Sequence, residues 1–480
     1  MIDDKKRLIK KDDEKELKNL HSSLKDSVYR DYFHISPLTG LLNDPNGLFF
    51  KENKFHIFYQ WYPFKGIHGL KHWYEVQSPD LINFKNIGLF LKPDKIYKNR
   101  GAYSGSAFVE NDDVYIVYSG NQKDENENRI PNTVLGKYEN GKIIDEKVII
   151  SPNKNYKEDQ RDPRIFKKNG FYYLTLGARD KKDHGCLLIY RSKNINKDWE
   201  FFGELEIKDF DNKAYMWECP DILKVDGKDV LLFSPQGMKA YGEFFNNIYQ
   251  NGYIIGKLDI ENKIFYPESE FIELDRGFDF YACQAFANTK NPYLIGWVGL
   301  PDITYPNDKE FSGNLSLVRE LKIKYNKLFI NPVKNIDDLR LEKIEFNEIV
   351  KNIEPLEISL DNIENSLQIK VYSQEKNGGF IISYDKNKKE FKIDRSKLEN
   401  KISQDFGFER KISDVDLKSM KIYVDKSTIE IFINQGEYAL TSKVFPKNKE
   451  KDLYIEGLSK ENTQIYTLKK SYIDNFSLNM

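Results

Sequence analysis

The sequence predicts an all-β chain: a five-bladed β-propeller followed by a C-terminal β-sandwich, with a short N-terminal helical segment. The first observation is a fifteen-residue pattern that recurs five times. Its copies begin at Gly47 (GLFFKENKFHIFYQW), Ser106 (SAFVENDDVYIVYSG), Pro163 (PRIFKKNGFYYLTLG), Pro220 (PDILKVDGKDVLLFS) and Gln284 (QAFANTKNPYLIGWV). Each copy reads as a short apolar strand, a polar turn and a second apolar or aromatic strand. The second observation is spacing. Starts 59, 57, 57 and 64 residues apart leave room for four short antiparallel strands, the make-up of a propeller blade. The third is that the repeat stops near residue 330 and short alternating strands take over, as in a sandwich. The competing reading of the repeat is a β-sandwich with coincidental spacing.

Residues 1–30 are charged, with a weak helical period through Leu17, Leu20 and Leu24. They read as a surface helical extension without chemistry of its own. Residues 31–330 form the propeller, with polar turns such as Lys168-Asn169-Gly170 and Asp226-Gly227-Lys228. Residues 340–480 form the sandwich. There STIEIFINQGEYALTSKVF alternates through Ile429, Ile431 and Ile433, and Gln435-Gly436 marks a hairpin turn. LEISL, SLQIKVY, GFIISYD and KIYVD supply further strands. This part holds no cluster of carboxylates or histidines, so a stabilising or interface role is expected.

A chain of 480 residues is too long for one ordinary core. A formal net charge of -1 argues against a nucleic-acid partner, which needs a basic excess. Cys186, Cys219 and Cys283 are odd in number and far apart, so neither a disulfide framework nor a CxxC knuckle is expected. The N-terminal stretch lacks a signal-peptide apolar run, and no segment is long and apolar enough to span a membrane. The expectation is a cytoplasmic protein with no membrane partner. No cofactor or metal is expected either. His68 and His72 have i, i+4 spacing but lack a metalloprotease Glu, and no P-loop, dinucleotide fingerprint or GxSxG elbow is present. Oligomeric state is not legible.

Acidic residues stand just ahead of three repeats: Asp44 before the first, Asp162 before the third and Glu218 before the fourth. Singly, each has an ordinary explanation. Asp44-Pro45-Asn46-Gly47 is a good turn, and Arg161-Asp162-Pro163 could be a surface ion pair before an extended X-Pro bond. Glu218, between Trp217 and Cys219, reads as a carboxyl in an apolar setting that favours its neutral form. Together, at one phase of a rotational repeat, the three are expected at equivalent places converging on the central channel. One ionised and one protonated carboxyl is what glycoside hydrolysis requires. The same phase elsewhere holds Tyr103-Ser104-Gly105-Ser106 and Phe278-Asp279-Phe280-Tyr281, and the first repeat ends in Tyr59-Gln60-Trp61-Tyr62. Amides, hydroxyls and aromatic faces suit a sugar. Gln60 and Ser104 read as ligand contacts, and Trp61 as core.

At these residues the chain resembles the family 32 glycoside hydrolases, the invertase and sucrose-6-phosphate hydrolase group. The resemblance rests on Asn43-Asp44-Pro45-Asn46-Gly47, Tyr103-Ser104-Gly105-Ser106, Arg161-Asp162-Pro163 and Glu218-Cys219-Pro220, in that order. GNLSLVRE at 313–320 and EIFINQGEYALTSKVFP at 430–446 extend it. It implies Asp44 as nucleophile, Glu218 as general acid/base and Asp162 as transition-state stabiliser, with Arg161 beside it. It further implies Asn43, Gln60, His68, Trp73, Tyr103, Ser104, Arg161 and Trp297 as substrate contacts. The implied function is a retaining β-fructofuranosidase acting on a small disaccharide, sucrose 6-phosphate or sucrose. Alternatives are an exo-fructanase or fructosyltransferase on the same site, or a non-catalytic sugar-binding propeller. His68-Gly69-Leu70-Lys71 departs from the aromatic Trp-Gly of many relatives and is similar to intracellular sucrose-6-phosphate hydrolases. Tyr103 stands where Phe is commoner.

Overall fold

The five sequence repeats are the paired inner strands of five blades. The computed structural model describes residues 4–211, 214–307, 309–374 and 376–480. The pairs are Gly40–Lys51 with Lys54–Tyr62, Ala102–Glu110 with Asp113–Lys123, and Gln160–Lys168 with Phe171–Arg179. The fourth is Met216–Val225 with Lys228–Gln236, and the fifth Tyr281–Ala285 with Tyr293–Val298. Two further antiparallel strands complete each blade. The innermost strands touch in a ring, first to second through to fifth, and fifth back to first. Phe311–Ser312, leaving the fifth blade, pairs in parallel with Gly40–Leu41 and laces the ring shut.

These strands are apolar on both sides because a blade is covered on both faces. Along Lys54–Tyr62, Phe58 packs toward Ala107, Ile116 and Val134 of the second blade. Its neighbours Ile57 and Tyr59 join Val76 and Leu294 in the opposite cluster. The side-chain period of two therefore sends alternate residues into different inter-blade cores. Trp61 is fully buried, with its indole N–H on the Thr39 carbonyl at 2.7 Å, as core.

Every innermost strand carries a β-bulge at nearly the same height. Residues 43–44, 103–104, 162–163, 219–220 and 282–283 each set two positions against one on the partner strand. Asp162, Cys219 and Ala282 take positive φ there (64°, 49° and 50°). A bulge bends its strand and re-aims a side chain. The three acids thus do not occupy equivalent positions, contrary to expectation: Asp44 is second in its bulge, Asp162 first, and Glu218 immediately before one. Close blade contact fixes Gly177, where a Cβ would lie 2.0 Å from the Trp217 carbonyl oxygen.

After a 3-10 turn at Lys334–Leu339, two six-stranded antiparallel sheets make the sandwich. Buried charges join it to the propeller. Arg319 donates to Asp275 at 2.9 Å and to Glu430 at 2.8 Å, and Arg395 to Asp279 at 2.7 Å. These contacts explain GNLSLVRE, the Asp279 motif and the 430–446 run as parts of one seam. Asp31, His34 and Asp425 also meet there, each already hydrogen-bonded to side chains or backbone.

Both termini return to the first blade. Helix α1 (Glu14–Leu24) buries Leu17, His21 and Leu24, and His21 and Arg30 both contact Asp474. Tyr472–Ile473 pairs in parallel with Phe84–Lys85, so the chain's end lies on the propeller beside that helix. No helix among the described residues is long and apolar enough to cross a membrane.

Candidate active site

The bulge at Asn43-Asp44 turns both side chains into the hub opposite Gln60. Asp44 accepts hydrogen bonds from Asn43 Nδ2 at 3.1 Å, Gln60 Nε2 at 3.0 Å and the Ser104 hydroxyl. Gln60 also donates to Ser104. Burial pushes the Asp44 carboxyl above the ordinary range, while the Ser104 bond opposes that rise and the Glu218 charge adds to it.

From Ser104 the network runs to the next carboxyl. The Ser119 hydroxyl donates to the Ser104 carbonyl at 3.1 Å and accepts from the Asp162 amide at 2.8 Å. Asp162 Oδ2 in turn accepts the Cys219 amide at 2.9 Å. Burial raises its pKa to about 7, helped by the charges of Glu218 and Asp44 and opposed by Arg161. Crowded carboxylates thus hold a proton near neutrality, as like charges in a buried site must.

Glu218 is half-buried and tied on both oxygens. Oε1 accepts Arg161 Nε at 2.8 Å; Oε2 accepts Gln236 Nε2 at 2.7 Å and the Tyr281 hydroxyl at 2.6 Å. This corrects the apolar setting expected from Trp217 and Cys219. Strand alternation sends Trp217 into a core with Phe210 and Phe233, and Cys219 toward Asp162. Arg161 also donates to Asp159 at 2.9 Å, so its guanidinium is shared. Burial works against its charge, and Glu218, Asp162 and Asp159 outweigh burial.

Of the other residues singled out, Asn43, Gln60, Ser104 and Arg161 belong to this network. Trp297 is buried, pairs in register with Tyr281 and stands 6.0 Å edge-on from His68; its indole N–H has no hydrogen-bond partner among the described residues. Its position against Gly299 and Gly313 leaves no room for a Cβ on either. Tyr103 is half-buried beside Asn121, Arg129 and Arg161. Trp73 is a correction. It is fully buried among Phe58, Phe90 and Tyr118, and its indole N–H meets the Tyr103 carbonyl at 3.3 Å, so it props Tyr103 from behind.

Sequence reasoning took Lys71 as the end of the His68-Gly69-Leu70-Lys71 run and passed over Ser119 and Gln236. Lys71 is buried, and its Nζ donates to Asn43 Oδ1 at 2.6 Å. Burial lowers its pKa to about 7, against the pull of Asp44. Ser119 links two blades, and Gln236 holds Glu218. The one available signal was positional: Gln236 ends the fourth repeat's second strand much as Gln60 lies near the end of the first's.

Carboxyls crowded at a propeller hub, where one holds a proton near neutrality beside amide donors, suit the acid and base work of a glycoside hydrolase. The Glycosyl hydrolases family 32 N-terminal domain matches residues 34–332, and the family 32 C-terminal domain matches 336–471. The chain belongs to glycosyl hydrolases family 32. It is 38% identical to the sucrose-6-phosphate hydrolase of Staphylococcus xylosus, over 90% of each chain. It is 37% identical to that of Vibrio alginolyticus, over 91% of this chain and 90% of the relative. A solved sucrose-6-phosphate hydrolase from Lactobacillus gasseri superposes with TM-score 0.91 at 34% identity, covering 97% of this chain and 99% of that one. A Bombyx mori family 32 β-fructofuranosidase mutant solved with sucrose gives TM-score 0.83 at 29% identity, covering 97% and 100%.

Proposed function

We propose that the hub binds a terminal β-fructofuranosyl unit and that the protein is a retaining β-fructofuranosidase, hydrolysing sucrose 6-phosphate and sucrose. The observation that carries the reading is the hydrogen-bonded path from Asp44 to Asp162 through Ser104 and Ser119, with Arg161, the neighbour of Asp162, held on Glu218. The sucrose-6-phosphate hydrolase activity of the relatives supports the choice of sugar.

In the first step an Asp44 oxygen attacks the anomeric carbon as the bond to the aglycone oxygen breaks. Glu218 passes its proton to that oxygen. Water then gives its proton to Glu218 and its oxygen to the anomeric carbon, releasing fructose and the Asp44 carboxylate. Asp162 accepts sugar hydroxyls, with Asn43, Gln60 and Trp297 as further contacts. Lys71 holds the Asn43 amide in place. Cytoplasmic operation is part of the same proposal, and the three buried free thiols support it.

A panel of sucrose, sucrose 6-phosphate, raffinose and inulin tests the reading. Fructose release from the first two, and a loss of kcat by orders of magnitude in Asp44→Ala and Glu218→Ala with the fold retained, is the expected result. Near-normal kcat in either variant removes that residue from its role. Trisaccharides at high sucrose would make transfer the main activity.

A further inference from the structure

The N-terminal extension begins with a segment that packs on the hub's first-blade loop, a contact its charged, weakly helical sequence hides. Residues 5–9 lie along the loop that carries His68 and Lys71. The Lys5 carbonyl accepts the Leu70 amide at 2.7 Å, and the Arg7 guanidinium lies 3.9 Å over the Phe64 ring. Leu8 packs with Leu41, Tyr62 and Leu70, and Ile9 is buried. The segment therefore walls the first blade's loop that ends at Lys71.

From that wall Lys6 Nζ reaches within 4.0 Å of Glu127, on the loop after the second blade's second strand. Arg100 contacts the same carboxylate at 2.6 Å and Lys123 at 3.1 Å. Arg100, Lys123 and Lys6 together hold Glu127 below its ordinary range. Three cations facing one carboxylate leave an excess of about two positive charges at neutral pH. Arg100 Nε, moreover, is buried with no hydrogen-bond partner among the described residues.

The cluster adjoins the reaction pocket. Gly101, next to Arg100, backs on the Tyr103 ring, and the Ala102 amide donates to the Lys71 carbonyl at 3.0 Å. The deeper cations are engaged: Arg161 with Glu218 and Asp159, Lys71 with Asn43. The rim therefore stands on the Tyr103 and Lys71 side of the hub. A phosphate monoester carries about −1.5 to −2 charges near neutrality and three acceptor oxygens, matching the excess.

We propose that Lys6, Arg100 and Lys123 form an anion-recognising rim that selects an aglycone bearing a phosphate monoester, with residues 5–9 as the wall that delivers Lys6. The inference rests on the β-fructofuranosidase reading of the hub. Its test is the ratio of kcat/KM for sucrose 6-phosphate to that for sucrose, in the full-length protein. Lys6→Ala/Lys123→Ala should lower the ratio about tenfold, since charge-assisted contacts to phosphate are lost. Glu127→Gln should raise it, because an opposing charge is gone; a purely structural role for the cluster gives no such opposite sign. An unchanged ratio in both variants, or a lower one in Glu127→Gln, overturns the rim. A wild-type ratio near one overturns it too, while leaving the hub reading in place. No fructose from either sugar overturns the hub reading itself.

Discussion

Ser104 of the second blade donates its hydroxyl to Asp44 of the first, and this bond opposes the rise that burial imposes on the carboxyl. In the proposed mechanism Asp44 must be ionised to attack carbon. Ser104→Ala removes the donor, so the Asp44 pKa goes up and a smaller fraction is ionised at a given acid pH. The acid limb of kcat/KM should move to higher pH. A hydrogen bond to a charged group is worth about 1.5–3 kcal/mol, so the rate on that limb falls roughly ten- to hundredfold. A limb that stays put would remove Ser104 from control of Asp44.

Lys71 acts on the same carboxylate from the other side. Its pKa, lowered to about 7 by burial, means that it carries its charge below neutrality and sheds it above. Lys71→Met keeps the apolar stem and has no charge at any pH. Wild type should therefore exceed the variant most at pH 5–6, with the two profiles drawing together above about pH 8. A constant gap across the range would mean that Lys71 serves only to hold Asn43.

The repeat, its strand pairs and the three acids were legible in the sequence because alternation and turn residues are local signals. The bulges were not. Nothing in Asn43-Asp44, Tyr103-Ser104 or Cys219-Pro220 announces an extra residue, since a bulge is defined against the partner strand. That is why the sequence suggests equal phase for acids that actually differ by one or two positions. Glu218 was misread for a related reason: its sequence neighbours point to other faces, and its true surroundings, Arg161, Gln236 and Tyr281, come from three other strands. Trp73 illustrates the converse, an aromatic beside the pocket whose ring belongs to the core.

Asp162 stores instability for the sake of the site. Its pKa rises from an ordinary 3.8 to about 7 in the folded protein, so folding favours its protonated form. Its contribution is favourable below about pH 4 and is lost as pH climbs through 7. Asp162→Asn keeps an acceptor for the Cys219 amide and has no charge to bury. Thermal unfolding at pH 7.5 should show the variant more stable by about 1–3 kcal/mol, with the gain vanishing near pH 4 while turnover collapses. A variant less stable than wild type at pH 7.5 would contradict the assignment.

His34 gives the seam between propeller and sandwich the same direction of pH dependence by an opposite charge. Nδ1 lies 2.9 Å from Asp425 and Nε2 3.1 Å from Glu430, so both ring nitrogens donate only in the imidazolium. Burial opposes that charge, but the two carboxylates outweigh it and raise the pKa from 6.5 to about 9. The stabilisation is fully present below pH 6.5 and is lost as pH passes 9; the shift corresponds to at most about 3 kcal/mol. His34→Gln can satisfy one carboxylate and supplies no charge. Denaturant unfolding of wild type should weaken between pH 6.5 and 9.5 more steeply than that of the variant, because only wild type releases this proton. Parallel slopes would mean that His34 is already neutral in the folded seam, with Asp425 held instead by the backbone amides of Tyr32, Phe33 and His34.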